Sequence, residues 1–407
     1  MGMRFIKNGV TAPIGFKANG LSCGIKKLKN SDLALIYSIK MCDAAGVFTT
    51  NKVKASCVVV NSEHLKNGKA QAIIANSGNA NCMTGKRGLK NSRTMAASVA
   101  NALGLNNEDV CVASTGVIGH PLPIEKILNA VPKLVNGLSR KGSEGAARAI
   151  MTTDSTLKEI AAEFRIGGKR VRIGAIAKGA GMIHPQMALA PHATMLCFVT
   201  TDASIAPSAL RSALDVATQK SFNMITIDGD MSTNDMVLVF ANGMAENKTI
   251  KENSKDARVF GAALEALFLK LAQLIVRDAE GATKFVEVRV KNARSLRDAR
   301  TVAHAVSSST LVKCAFFGSD PNWGRVAAAA GQSGAEVDPW KMKIYLGREL
   351  VLENGGAVKK RAGILDKVFA KKDIKITLNL GLGKHSATAY TCDLSMKYVQ
   401  LNSAYHT

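Results

Sequence analysis

Residues 178–201 read KGAGMIHPQMALAPHATMLCFVTT. A glycine-rich turn and a stretch of small residues run directly into a threonine, Thr194, that opens an apolar strand at 195–199. If the chain cuts itself before Thr194, that residue becomes an amino-terminal nucleophile. A hydroxyl beside its own free α-amine is nucleophile and base in one residue, because the neutral amine takes the hydroxyl proton as the oxygen attacks a carbonyl.

The same alternation of short strands and helices extends to both sides of this bond. Ahead of it, 56–60 and 70–75 read as strands and 94–103 as a helix with apolar residues at helical spacing. A strand at 110–113 ends in Ser114, Thr115 and Gly116, Pro123 begins a helix running to 131, and 171–177 is a strand leading into Lys178. After it come a strand at 195–199, a helix over 207–219 with Pro207 in its first turn, and a strand at 237–240. Val286, Val288 and Val290 alternate with charged residues as in a half-exposed strand, a helix follows over 296–306, and 374–380 with 387–392 suggest a hairpin joined by 381–385. With no repeat period and no low-complexity linker, the chain is expected to form two intimately packed α/β units.

Composition narrows the function. The 407 residues, 47% of them apolar, suffice for a large core. The net charge of +23 is scattered over the sequence, with only short clusters such as 26–29 and 359–361, so a basic surface that draws carboxylate-bearing metabolites is favoured over a nucleic-acid partner. Eight cysteines without CxxC spacing read as reduced thiols of a cytoplasmic-type compartment. The amino terminus lacks the apolar core of a signal peptide, and the apolar stretch 259–276 is broken by Glu265, Lys270 and Gln273, so a core helix is expected there and no membrane span. The seven histidines show no HExxH or zinc-type spacing, and no metal is expected. The 381–385 segment lacks the full phosphate-loop spacing and reads as a turn.

Three dense polar clusters stand out, at 76–81 (NSGNAN), 228–235 (DGDMSTND) and 318–325 (GSDPNWGR). Each alone is a turn; together, beside apolar strands and helices, they fit strand ends converging on one polar cavity.

The motifs ASTGVIG at 113–119, KGAGMIHPQMA at 178–188, ATML at 193–196, DGDMSTND, DAEGATK at 278–284, FGSDPNWGR at 317–325 and NSAYHT at 402–407 occur in order. In this the chain resembles the glutamate N-acetyltransferase, or ornithine acetyltransferase, family, from GVFTTNKVK at 46–54 to the last residue. The resemblance implies an α/β fold, a layered αββα-like sandwich of the amino-terminal-nucleophile type. It implies self-cleavage between Ala193 and Thr194, giving an α chain of 1–193 and a β chain of 194–407 that assemble as an α2β2 heterotetramer. Mature Thr194 would take acetyl from N2-acetyl-L-ornithine and pass it to L-glutamate, in arginine biosynthesis. No coenzyme is needed for that exchange; some relatives also use acetyl-CoA as a second donor.

The resemblance places an oxyanion hole at Thr115 and Gly116 and substrate contacts at Thr152 or Thr153, Lys178, Glu280, Asn402 and Thr407. Read without it, the 115–116 pair is a helix-capping turn, and Lys178 and Glu280 are surface charges. The sequence departs from the family pattern by LAPHA, residues 189–193, lying between Ala188 and Thr194. All five residues fall ahead of the bond to be cut. The five extra residues leave an uncleaved, inactive precursor as one alternative; a separate one is an amino-terminal-nucleophile aminopeptidase or amidohydrolase of related fold, which would pass the acyl group to water instead of an amine.

Overall fold

The computed structural model describes residues 2–27, 30–188, 195–361 and 363–404. A ten-stranded sheet is built from β1 (Arg4–Ile6), β2 (Phe16–Leu21), β3 (Leu33–Thr49), β4 (Lys69–Asn79), β5 (Val110–Val117), β6 (Lys158–Ile166), β7 (Lys169–Lys178), β8 (Met187–Ala188), β9 (Leu196–Thr201) and β10 (Met236–Ala241). Its main path runs β1-β6-β7-β9-β10-β3-β4-β5. A six-stranded sheet follows, ordered β14-β13-β12-β15-β11-β16, from β11 (Phe285–Ala293), β12 (Lys343–Leu346), β13 (Glu349–Glu353), β14 (Gly356–Ala357), β15 (Asp373–Asn379) and β16 (His385–Cys392).

The long strand β3 joins the two halves of the larger sheet. Its first part pairs with β2 and β4, and its last part, from Asp43 to Phe48, pairs with β10. Between Tyr37 and Cys42 the register against β4 slips, and the unpaired residues let the strand change course. Strands β9 and β10 are parallel neighbours and apolar on both faces, as strands buried from two sides require. Cys197, Val199, Val237 and Val239 join a core with Leu210 and Leu214 of helix Pro207–Lys220 and with Phe260, Leu264 and Leu267 of helix Lys255–Arg277. Leu196, Phe198, Leu238 and Phe240 face the other way, into the core shared with β3, β4 and β5. Each such fully buried side chain contributes roughly 1.5–3 kcal/mol of transfer free energy. The architecture is therefore α/β, with helices layered on mixed sheets, as expected.

Most elements stand where periodicity placed them, including the helix Lys255–Arg277, whose apolar stripe is core. Four expectations need correction. Residues 56–60 are not a strand but the start of a helix, Ser56–His64. The valines favour a strand locally, but Asn61 donates to Val112 O and accepts from Val112 N, which fastens the segment to β5 as a helix. Strand β5 does not stop at 113 but carries Ser114, Thr115 and Gly116 within it, and the next helix begins only at Ile124. Thr115 and Gly116 are thus not a helix-capping turn. The third correction concerns 374–380 and 387–392: β15 and β16 do not pair, because β11 lies between them. Their connection crosses over the end of β11, where the amides of Leu382 and Gly383 donate to Asn292 O. Finally, 318–325 does not join the polar cavity described below; Asn322 there caps the helix Trp323–Gly331 by accepting from Arg325 N.

Candidate active site

The carboxyl ends of β4, β5 and β7 meet the start of β9 and β10, and a cavity of about 320 Å³ opens there. It is of the size that holds a small metabolite. Thr115, Gly116, Thr152, Thr153, Lys178, Glu280 and Asn402 all line it. Residues assigned from five separate stretches of sequence thus share one wall-to-wall space.

The oxyanion candidate is held by a strand bulge. Along β4 and β5, Gly78 lies opposite Gly116, and the register breaks at Asn79, which faces both Thr115 and Val117. Gly116 has φ of +132°, and a Cβ there would lie 2.4 Å from the carbonyl carbon of Gly78, so only glycine fits. Behind it, Ser114 Oγ donates to Asn76 Oδ1 at 2.7 Å, and Asn76 Nδ2 donates to Asn79 O at 2.8 Å. Asn234, from the 228–235 cluster, donates to Ala80 O and to Ser114 O, each at 2.7 Å. Two of the three polar clusters are thereby stitched together at the cavity.

Lys178, the last residue of β7, is buried, and its Nζ donates to Thr115 Oγ1 at 3.4 Å. Burial lowers its pKa, against the nearby carboxylates of Asp154, Asp235 and Glu280. Beneath it lies a fully satisfied ionic cluster. Lys158 Nζ donates to Asp154 Oδ1 at 2.7 Å and to Asp278 Oδ2 at 2.5 Å. Asp154 also accepts from Gly179 N at 2.7 Å and Thr152 N at 3.0 Å. Asp278 accepts from the amides of Ser155 and Thr156 and from the Ser155 hydroxyl. One buried lysine therefore ties together the segments that present Thr152 and Thr153, Lys178 and Glu280. Burial alone would push the Asp154 carboxyl up, but Lys178 and Lys158 outweigh it and hold the group down at about 2.

Glu280 reaches the cavity because residue 181 is glycine: a Cβ there would lie 2.6 Å from the Glu280 carboxylate. The Glu280 amide donates to Ala180 O at 2.9 Å, and Asn402 Nδ2 donates to Glu280 Oε2 at 2.8 Å. Asp228 accepts from Met182 N at 2.6 Å, Ile183 N at 2.9 Å and the Tyr398 hydroxyl at 3.2 Å. Desolvation raises the Asp228 carboxyl despite these bonds. The cavity thus offers one buried cation and several carboxylates, the pattern that receives an amino acid by its carboxylate and its ammonium.

Thr194, Ala193, the 189–193 stretch and Thr407 lie outside the described residues. Met195, directly after Thr194, is held by Met236 N, which donates to its carbonyl at 2.7 Å. Sequence reasoning missed Tyr398, Gly181 as the clearance for Glu280, and the Asp154–Lys158–Asp278 cluster. A lysine at the start of a strand carried no signal of its own. Asp228, Asp230, Ser232 and Asn234, which also line the cavity, fall within a cluster the sequence had singled out.

A sequence model of the ArgJ family matches residues 17–407. The chain is 49% identical over 407 residues to the arginine biosynthesis bifunctional protein ArgJ of Symbiobacterium thermophilum, covering 100% of each chain. It is 47% identical over 409 residues to the protein of that name from Caldanaerobacter subterraneus, again covering 100% of each. Among solved structures, the ornithine acetyltransferase of Mycobacterium tuberculosis complexed with ornithine is 40% identical over 46% of this chain and 100% of that chain, with a TM-score of 0.43.

Proposed function

The chain belongs to the ArgJ family and is an acyltransferase of arginine biosynthesis, and from that premise we propose that Thr194 is the group that carries the acyl unit. Acetyl passes from N2-acetyl-L-ornithine to Thr194 and then to L-glutamate, giving L-ornithine and N-acetyl-L-glutamate. The convergence of seven assigned residues on one cavity, among them Lys178, which pairs in the sheet with Leu196, two residues after Thr194 in sequence, is the observation that supports this reading.

Maturation comes first. The Thr194 hydroxyl attacks the Ala193 carbonyl, the C–N bond breaks as the nitrogen takes a proton, and an ester joins the two segments. Water then opens the ester, leaving a carboxylate on Ala193 and a free amine on Thr194. The residues 1–193 and 194–407 remain together as one α/β pair, because β9 and β10 lie within a sheet completed by strands from the first segment. Two such pairs form the proposed α2β2 assembly.

In transfer, the Thr194 amine takes the hydroxyl proton as the oxygen attacks the acetyl carbonyl of the donor. The negative oxygen that develops is met by donors at Thr115 and Gly116, a single such donor being worth about 3 kcal/mol in rate. Lys178 gains a counter-charge when a substrate α-carboxylate enters, which offsets its burial. Glu280, backed by Asn402, receives the substrate ammonium. Ornithine leaves, glutamate binds in its place, and its amine takes the acetyl group. Donor and acceptor share one covalent carrier, so the exchange needs no coenzyme; acetyl-CoA, as a second donor, would enter at the same acylation step.

The test is to incubate the purified protein with N-acetylornithine and glutamate and to follow both products. Equal amounts of ornithine and acetylglutamate are expected. Free acetate formed at a rate insensitive to glutamate would instead mark a hydrolase. Replacing N-acetylornithine by acetyl-CoA in the same assay decides whether the second donor is used.

A further inference from the structure

Asp235 is fully buried, yet among the described residues neither of its carboxylate oxygens has a hydrogen-bond partner. The other buried acids around the cavity differ: Asp154, Asp278 and Asp228 each accept at least two hydrogen bonds. An unpaired carboxyl away from water is an arrangement that folded chains avoid unless a partner arrives later.

Its place in the sheet says which partner that is. Asp235 directly precedes β10, whose first residue, Met236, pairs with Leu196 in the parallel β9–β10 ladder and donates its amide to Met195 O. Asp235 therefore lies in register beside Met195. Thr194 is bonded directly to Met195 along the chain. Cutting the bond before Thr194 turns an amide nitrogen, which cannot pair with a carboxylate as a cation, into an amine that can.

We propose that Asp235 is the positioning residue for the amino group freed at Thr194, an inference that rests on the self-cleavage reading above. Before the cut, burial raises the pKa of the Asp235 carboxyl and so favours its neutral form. After it, the proton moves between the carboxyl and the amine: as carboxylate and ammonium the two form an ion pair, and as carboxyl and neutral amine they leave Thr194 with its base ready. The other charges that face this pair are Lys178 from the end of β7, Asp228 from the loop ahead of β10, and Glu280 across the cavity. Lys178 favours the carboxylate and Asp228 opposes it. Asp235 touches neither substrate nor the reacting carbonyl in this role.

The experiment compares wild type with Asp235→Asn, first by mass measurement of the fragments and then by the pH profile of acetyl transfer. Asp235→Asn is expected to be cut, to keep KM within about 2-fold and to lose kcat by roughly 10- to 100-fold. Without the neighbouring carboxylate the amine loses its proton more readily, so the acid limb of kcat/KM moves to lower pH by roughly one unit. A fully cut variant with unchanged kcat and an unmoved limb overturns the assignment of Asp235 alone. A wild-type chain that is active but never cut overturns the self-cleavage reading beneath it.

Stability guards against misfolding of the variant. In a Thr194→Ala background, which is not cut, Asp235→Asn should melt at or above the temperature of its parent. A lower melting temperature there would show that the carboxyl is already paired, and would overturn the proposal.

Discussion

Two walls stand behind the lining of the same cavity, and they handle buried charge in opposite ways. On one, Lys158 is fully enclosed by Asp154 and Asp278, and their remaining oxygens are met by amides and a hydroxyl. On the other, Asp235 is equally enclosed and has no hydrogen-bond partner among the described residues. The first wall is complete in the uncut chain and acts as scaffolding: it sets where the threonines at 152 and 153, Lys178 and Glu280 stand. The second is finished only when a new amino group is made beside Met195. Charge satisfied at once gives rigidity, whereas charge left waiting marks where the covalent structure is due to change.

The comparison breaks most sharply at the nucleophile. Thr194→Ala should leave a single uncut chain and reduce acetyl transfer by more than ~10³-fold, read by denaturing electrophoresis and product assay. Next is the scaffolding wall. Lys158→Met leaves two buried carboxylates facing each other, and breaking such a cluster from one side costs about 3–5 kcal/mol, which denaturant melts will register. Asp235→Asn in the uncut background should cost nothing, and this contrast is what separates the two walls. Gly116→Ala, which forces a side chain against Gly78, should lower kcat by roughly 10²-fold while the cut, made at a different carbonyl, slows with it. The smallest effect is with pH. The Asp154 carboxyl is held down at about 2, below its ordinary value, so its contribution is fully present above about pH 4 and is lost as pH falls through about 2. That contribution is on the order of 2 kcal/mol, and acid titration of Asp154→Asn should lack it.

Most of the fold and much of the site can be read in the sequence. Apolar patterning locates β4, β7, β9 and β10 as short runs buried almost throughout, β11 by its alternation, and the helices at 207 and 255 by helical spacing. It fails at 56–60, where a valine run becomes helix under tertiary contacts through Asn61, and at β15 and β16, where β11 enters between strands that are near in sequence. At the site, Thr115, Gly116, Lys178 and Glu280 stand out through the motifs that contain them. Lys158, Asp154 and Tyr398 do not, since what distinguishes them is enclosure by distant segments, which no local pattern encodes. Gly181 is intermediate: the glycine is visible, but its purpose is the carboxylate of Glu280 packed against it.

The most direct test is mass measurement of the denatured wild-type protein after incubation with N-acetylornithine and no acceptor. Two fragments meeting at Ala193 and Thr194 are expected, with the one beginning at Thr194 heavier by a single acetyl group. A fully active preparation made only of unbroken chain, or a second fragment that never carries acetyl, would contradict it.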